Sequence, residues 1–322
     1  MKYTDSALNP QEKRIIFKYI FMSRFFRLFF SLLFLVQILS CVTQTLNKNK
    51  KTEITENPET PETQERLFDV SAMSFNIKTT SVGDTGENSW NNRKSGISNM
   101  FLTIKPMVLG LQECCISQRN DILAKCSQYE AIGVGRDDGK EAGEIMLIMY
   151  DKTQMELIEW GTFWLSETPD KVSYGWDAEC RRTTTWAIMK ELYTTKKFLF
   201  MNTHLDHKGV VAREESLKLI QNKINEINQK NLPVILLGDF NEASANPMFN
   251  VLDLFSARSK AEKTDFGGTY NGFKASGHRQ IDHIYYKGFS VLAFQIIRDS
   301  WNSITYISDH YPIMATFDFP EE

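Results

Sequence analysis

From Phe68 onward the chain alternates short apolar runs with polar stretches. Val70 to Ile77 alternates in the manner of a strand with buried faces. Ile97, Met100, Phe101 and Ile104 follow the i, i+3, i+4, i+7 spacing of a short amphipathic helix. Pro106-Met-Val-Leu-Gly-Leu reads as a buried strand that delivers Gln112 and Glu113 at its end. The pattern predicts further strands over 144–150, 184–190, 197–202, 233–237, 281–286 and 311–317. It also predicts a helix over 211–229 with Leu217, Ile220, Ile224 and Ile227 on one face. Many strands follow one another with only turns between them. That mixture suits an α/β (α+β) sandwich, two mixed β-sheets packed face to face with helices outside, rather than a doubly wound parallel sheet. Polar stretches at 79–95, 133–143, 166–183 and 242–280 are predicted to wall a pocket.

Residues 1–67 are patterned differently. Ile15 to Phe21 is apolar, Arg24 and Arg27 follow, and Leu28 to Val36 forms a second apolar run leading to Ile38-Leu39-Ser40-Cys41. Basic residues, a short apolar run and a small residue before cysteine have the layout of a secretory signal. The Leu-Ser-Cys ending resembles a bacterial lipobox. That resemblance implies a lipid anchor at Cys41 and a protein held in the cell envelope, facing the periplasm or the exterior. A single membrane-spanning anchor is the competing reading, and it would place Arg24 and Arg27 in the bilayer at roughly 2.5–3.5 kcal/mol each near the centre. A start at Met22 would leave residues 1–21 outside the protein. Residues 42–67 are rich in Thr, Asn, Lys, Glu and Pro and read as a disordered tether. The organisation expected is therefore a signal segment over 1–41, a tether over 42–67 and one domain over 68–322.

Composition narrows the function. At 322 residues and 42% apolar content the chain can bury a large core. Residues 1–67 carry ten of the 37 basic and seven of the 40 acidic residues, which leaves 27 and 33 beyond them, a net of −6. That is not the footprint of a protein that grips long polyanions by charge. Cys114, Cys115, Cys126 and Cys180 show no metal spacing, and buried thiols are expected.

The chemistry collects at strand ends. Asn76 stands in Ser-Phe-Asn-Ile, Glu113 in Gly-Leu-Gln-Glu and His204 in Asn-Thr-His-Leu-Asp-His. Asp239 and Asn241 share Gly-Asp-Phe-Asn, Asp282 lies in Gln-Ile-Asp-His-Ile, and Asp309 and His310 in Ser-Asp-His-Tyr-Pro. Carboxylates at the ends of buried runs are costly unless paired or bound to a cation. The donor set is rich in oxygen and poor in histidine, which favours hard Mg2+ (or Mn2+) over zinc. Two flanking histidines add proton transfer or charge stabilisation at a phosphorus centre.

In order and surroundings these segments resemble the endonuclease/exonuclease/phosphatase superfamily of metal-dependent phosphoesterases, over roughly residues 68–319. The resemblance implies a four-layered α/β sandwich. It also implies Glu113 as main metal ligand, supported by Asn76 and Asp309, and Asp239 as the residue that orients or deprotonates water. Asn241 would hold a phosphate oxygen, and His204 and His310 would contact the scissile phosphate, with the assignment of acid and base left open. Asp282 would orient His310, and Glu144 would do the same for His204.

Weaker candidates for substrate contact are Arg136, in the glycine-rich stretch 133–144, and Arg182, at the start of a predicted strand; a solvated loop and a structural salt bridge are the bland readings of each. Asp206 follows His204 at the spacing that turns both to one side of a strand. Trp164, Trp176 and Trp186 read as core or rim. The leading reading is a phosphodiesterase or phosphatase, with a phosphoester as partner and a monomer as the expected state. A nuclease would want a basic groove. A sphingomyelinase-type enzyme would want an exposed aromatic hairpin, for which Tyr174-Gly175-Trp176 is the one candidate. A binding module without catalysis would be signalled by loss of Glu113, Asp239 or His310, and all three are present.

Overall fold

The computed structural model describes residues 66–80, 83–275 and 279–321. The signal segment 1–41 with Cys41, and the tether 42–67 up to residue 65, lie outside the described residues. Arg66 ion-pairs with Glu191 at 2.8 Å.

The chain runs β1 (Val70–Asn76), α1 (Trp90–Ile104), β2 (Val108–Cys114), α2 (Ile116–Lys125), β3 (Tyr129–Ile132), β4 (Ile145–Asp151), β5 (Met155–Trp164), β6 (Thr183–Glu191) and β7 (Lys197–His204). There follow α3 (Val210–Ile227), β8 (Val234–Asp239), β9 (Phe255–Ser256), α4 (Ala257–Lys260), β10 (Lys263–Thr264), β11 (Asp282–Lys287), β12 (Ser290–Ile296) and β13 (Ile313–Asp318). One sheet has the order β10-β12-β13-β1-β2-β4-β3 and the other β5-β6-β7-β8-β11-β9. Both are mixed: β1 lies parallel to β2 and antiparallel to β13, and β7 lies parallel to β8 and antiparallel to β6.

Strand periodicity builds three layers of core. Val70 and Ala72 of β1, Phe198 and Phe200 of β7, and Ile235 and Leu237 of β8 meet between the sheets. The intervening Met73 and Phe75 turn outward onto Ile97, Met100 and Phe101 of α1. Leu199, Met201 and Leu236 turn outward onto Leu217 and Ile220 of α3. Because side chains alternate across a strand, each central strand feeds two layers, and both its faces must be apolar. The result is the expected four-layered arrangement, with helices on the outer face of each sheet.

One polar clamp crosses the apolar layer between the sheets. Asn202 of β7 donates from its amide to the Leu111 and Leu147 carbonyls, both at 2.9 Å, and accepts from Gln112 Nε2 at 2.7 Å. The β2–β4 register shifts between Leu111 and Cys114. Asn202 thus serves backbone groups where the ladder is irregular, and a Cβ at Gly110 would strike it and Leu237. Buried carbonyls need partners, and each one orphaned costs about 1–3 kcal/mol. Asn202→Ala should therefore destabilise the fold by on the order of 2–4 kcal/mol. Urea unfolding checks this: a loss below about 1 kcal/mol would mean the sheets re-satisfy these groups without the clamp.

Candidate active site

Strand register assembles the floor of the site. His204 ends β7, Asp239 ends β8 and Asp282 begins β11; pairing sets His204 opposite Asp239, and Asp239 opposite Asp282. Gly238 permits this approach. Its φ is +154°, and a Cβ there would overlap the Thr203 carbonyl of β7. In the other sheet Asn76 ends β1 and Glu113 lies at the irregular end of β2. Lys78, Glu113 and Asn241 all adopt left-handed backbone, with φ of 59°, 59° and 53°. For residues with a Cβ this conformation costs about 1–2 kcal/mol, and such strain collects where side chains must be aimed.

The Asn76 amide joins the two sheets' contributions. Its Nδ2 donates to Glu113 Oε1 and to Asp239 Oδ2, each at 3.0 Å. Asp309 and His310 are brought to the same end of the sandwich by Ser308, whose hydroxyl donates to the Asn76 carbonyl at 2.7 Å. Buried Arg93 of α1 donates to the Ile77 and Ile307 carbonyls at 2.8 and 2.7 Å, pinning the segments that carry Lys78 and Asp309.

The two histidines rest in opposite charge states. His310 donates from Nδ1 to Asp282 Oδ2 at 2.8 Å, and its Nε2 lies 3.7 Å from Asp239 Oδ2. Burial alone would lower its pKa, but Asp282 and Asp239 outweigh burial and lift it to about 10. His204 is driven well below the ordinary value by burial, reinforced by the Arg182 and Arg136 charges. Its Nε2 accepts from the Asn241 amide at 3.0 Å, which leaves the proton on Nδ1, a buried atom with no partner. Asp239 is pushed up to about 7, by burial first and then by Asp282.

Glu113 and Asp309 flank one small volume, each with a carboxylate oxygen 3.8 Å from Lys78 Nζ. Burial opposes charge on Glu113, yet Lys78 and the Thr79 N–H hold its carboxyl below the usual range. Asp309 is raised, chiefly by burial, and Glu113 adds to the shift. Two carboxylates beside the Asn76 amide make an oxygen donor set that fits Mg2+ or Mn2+, and a cation there would offset their mutual repulsion. Asp239, Asp282 and His310 also offer ligand atoms within 4.8 Å of one another. There His310 Nδ1 and Asp282 Oδ2 are engaged with each other at 2.8 Å.

The predicted residues line, or directly support, one cavity of about 450 Å3. Glu113, Glu144, Arg136, Arg182, His204, Asp239, Asn241, Asp309 and His310 line it; Asn76 and Asp282 lie behind them as hydrogen-bond partners. Glu144 does not pair with His204: it takes the Arg136 guanidinium at 2.6 Å. Asp206 spends its oxygens on the backbone N–H groups of Cys180, Lys208 and Gly209 and on Arg182, so it acts through Arg182. Trp164 is a buried wall residue, its indole N–H on the Arg136 carbonyl at 2.8 Å.

Pattern reading missed Lys78, Tyr270 and Arg279. Tyr270 sets its ring edge-on to His310, with centroids 5.1 Å apart. Its neighbour Thr269 accepts the Ile281 and Asp282 N–H groups, both at 3.1 Å, and so fixes Asp282.

A sequence profile described as the Endonuclease/Exonuclease/phosphatase family matches residues 73–310. The chain is 34% identical to a mannosyl-6-phosphatase of Bacteroides thetaiotaomicron, with a TM-score of 0.73, over 78% of this chain and 100% of that one. It is equally identical, 34%, to an endonuclease/exonuclease/phosphatase of Bacteroides vulgatus, with a TM-score of 0.73, covering 78% of this chain and 99% of that one. An uncharacterized protein of Acanthamoeba polyphaga mimivirus is 24% identical over 256 residues, 71% of this chain and 92% of that protein.

The elevated Asp239 pKa has a consequence for stability. Its carboxyl titrates near 3.9 when unfolded and at about 7 when folded, so the folded state holds the extra proton between these values. The contribution of Asp239 to stability therefore falls as pH rises from about 4 to about 7 and stays low above that. Asp239→Asn removes this fall. In EDTA at pH 8 the variant should melt a few degrees above the parent, with the gap closing near pH 4. Equal melting temperatures at pH 8 would show that the carboxylate is not disfavoured.

Proposed function

We propose that this chain, which belongs to the Endonuclease/Exonuclease/phosphatase family, is a divalent-metal-dependent phosphoesterase that hydrolyses a small phosphate ester, a sugar phosphate above all. Members of this family are hydrolases that act on phosphoesters, and they generally use divalent metals. The observation that carries the reading is the row His204–Asp239–Asp282 across three strand ends, gathered with His310 and the Glu113–Asp309 pair at one cavity.

The residues divide the work as their charge states dictate. Asp239, poised near neutrality, orients a water by hydrogen bonding and takes its proton as the new P–O bond forms. His310, fixed by Asp282 and carrying its proton, faces the charge that gathers on the phosphate oxygens. Asn241 spends its two amide hydrogens on His204 Nε2 and the Leu205 carbonyl, and so holds neutral His204 beside Asp239. A hard cation held by Glu113, Asp309 and Asn76 would supply further charge stabilisation at the phosphate. The ester P–O bond then breaks, and the leaving oxygen takes the His310 proton to release an alcohol and phosphate. His310 Nε2, 3.7 Å from Asp239, is reprotonated by the proton Asp239 took from water.

The cavity supports a small substrate. Its volume of about 450 Å3 is that of a small-molecule site, and the net charge of −6 beyond the tether argues against long nucleic acid. A sphingomyelinase-type reading gains little: Tyr174 is exposed but stacked by Arg181 at 4.4 Å, and Trp176 is half-buried. A relative named for mannosyl-6-phosphatase activity favours a phosphorylated sugar. The Leu-Ser-Cys41 segment supports a lipid-anchored protein outside the bacterial cytoplasm.

The test is hydrolysis by the full-length protein in detergent, with Mg2+, Mn2+ or EDTA. The panel is mannose 6-phosphate, p-nitrophenyl phosphate, single-stranded DNA, RNA and sphingomyelin. EDTA-sensitive release of phosphate from the sugar ester is expected, with His310→Ala lowering kcat by about 100-fold or more and Glu113→Ala weakening Mn2+ binding in equilibrium dialysis. Full activity in Glu113→Ala would overturn the cation assignment, and cleavage of nucleic acid alone would replace the sugar phosphate. For the anchor, Cys41→Ser should abolish labelling by a clickable palmitate analogue in cells and shift the protein from the membrane fraction; unchanged labelling would exclude Cys41.

A further inference from the structure

Two guanidinium groups stand on the β6–β7 side of the cavity, each paired with a buried carboxylate. Arg136 is neutralised by buried Glu144 at 2.6 Å. Arg182, only 6% exposed, enters β6 and donates from Nε to Asp206 Oδ2 at 3.3 Å and from Nη2 to His207 Nδ1 at 3.1 Å. Asp206 is itself anchored: Oδ1 accepts the Lys208 and Gly209 N–H groups at 3.0 and 2.8 Å, and Oδ2 accepts the Cys180 N–H at 3.2 Å. Those bonds and Arg182 hold the Asp206 carboxyl far below its usual range, against burial. The backbone around this wall is fixed as well. Asp177 accepts the Ala212 and Val211 N–H groups at the start of α3, and the Arg182 carbonyl accepts the Leu165 N–H at 2.8 Å. Arg182 is therefore a buried cation with no freedom to withdraw, and its remaining donors border the cavity.

We propose that Arg182 is the specificity-determining residue that makes this cavity a receptor for the terminal phosphate of a monoester and closes it to diesters. The proposal rests on the phosphoester reading above. A phosphomonoester carries about −1.5 to −2 charge near neutral pH and three non-ester oxygens. The side with Lys78, Glu113 and Asp309 takes one oxygen, and His310 takes a second. The third reaches the β6–β7 side, where a guanidinium fork matches it. A diester carries a carbon chain on that oxygen. The chain would press on Arg182 and strip water from its donors without replacing it, and sites built to hydrogen-bond one group reject analogues that lack it.

The test compares p-nitrophenyl phosphate with bis(p-nitrophenyl) phosphate on the full-length protein with Mn2+. Arg182→Met should cut kcat/KM for the monoester by about 100-fold and change the diester value by less than about 5-fold. Arg182→Lys, which keeps the charge and loses the fork, should fall between. Lys208→Ala is the charge control: Lys208 is exposed, paired with Glu179 at 3.0 Å and absent from the cavity lining, so the ratio should not move. Binding of methyl phosphate and dimethyl phosphate by calorimetry gives a readout independent of turnover and of any loss of fold in the Met variant, since the Lys variant reports on the same contact. The parent should bind methyl phosphate at least about 10-fold more tightly than dimethyl phosphate, and Arg182→Lys should erase most of that preference. Equal losses on both esters, or unchanged discrimination in both variants, would overturn the assignment and leave the phosphoesterase reading standing. If the parent hydrolyses neither ester, the phosphoesterase reading falls instead, while the two binding constants still decide the role of Arg182.

Discussion

The Asn76 amide, between Glu113 and Asp239, sets the spacing on which the rest of the site depends. Its two donors reach a carboxylate from each sheet, so the separation between the cation side and the proton-accepting side is fixed by one side chain at the end of β1. Other contacts serve this alignment. Asn202 keeps the two sheets in step behind it, Gly238 lets β8 approach β7 so that Asp239 lies level with His204, and Ser308 ties the Asp309–His310 pair to the Asn76 carbonyl. Four carboxylates, Glu113, Asp239, Asp282 and Asp309, end up close together. Each is tolerable only because a lysine, a histidine or an amide stands against it.

The same crowding explains why the two histidines differ. His310 faces acids and is held charged; His204 faces the Arg182 and Arg136 side and is held neutral. The cavity therefore has a field across it, with acids on one side and guanidinium groups on the other.

Much of this was legible from the chain. Strands that feed two cores are apolar on both faces, so β1, β2, β7 and β8 stood out, and polar residues at their ends could be named before any contact was known. The weaker elements were not. β5 (MELIEWGTFW) mixes acids with aromatics because it is an edge strand with an exposed face, and β3, α2 and β12 are short or half-exposed, with little periodicity to find. Lys78 and Arg93 were missed for another reason. Their roles come from contacts made far along the chain, to Asp309 and to the Ile307 carbonyl, and a buried arginine satisfied by carbonyls leaves no local signature. Glu144 shows the limit of reading by order alone: its position beside the cavity followed from the strand, but its partner Arg136 comes from the loop just before it.

Lys78, Glu113 and Asn241 share a backbone conformation that suits glycine better than any of them. Glycine at those positions would relax the main chain and remove side chains that line the cavity. Thermal endurance and catalysis thus pull the same three codons in opposite directions. A laboratory lineage selected only for survival on heating would be free to relax these three positions, at the cost of the side chains that line the cavity.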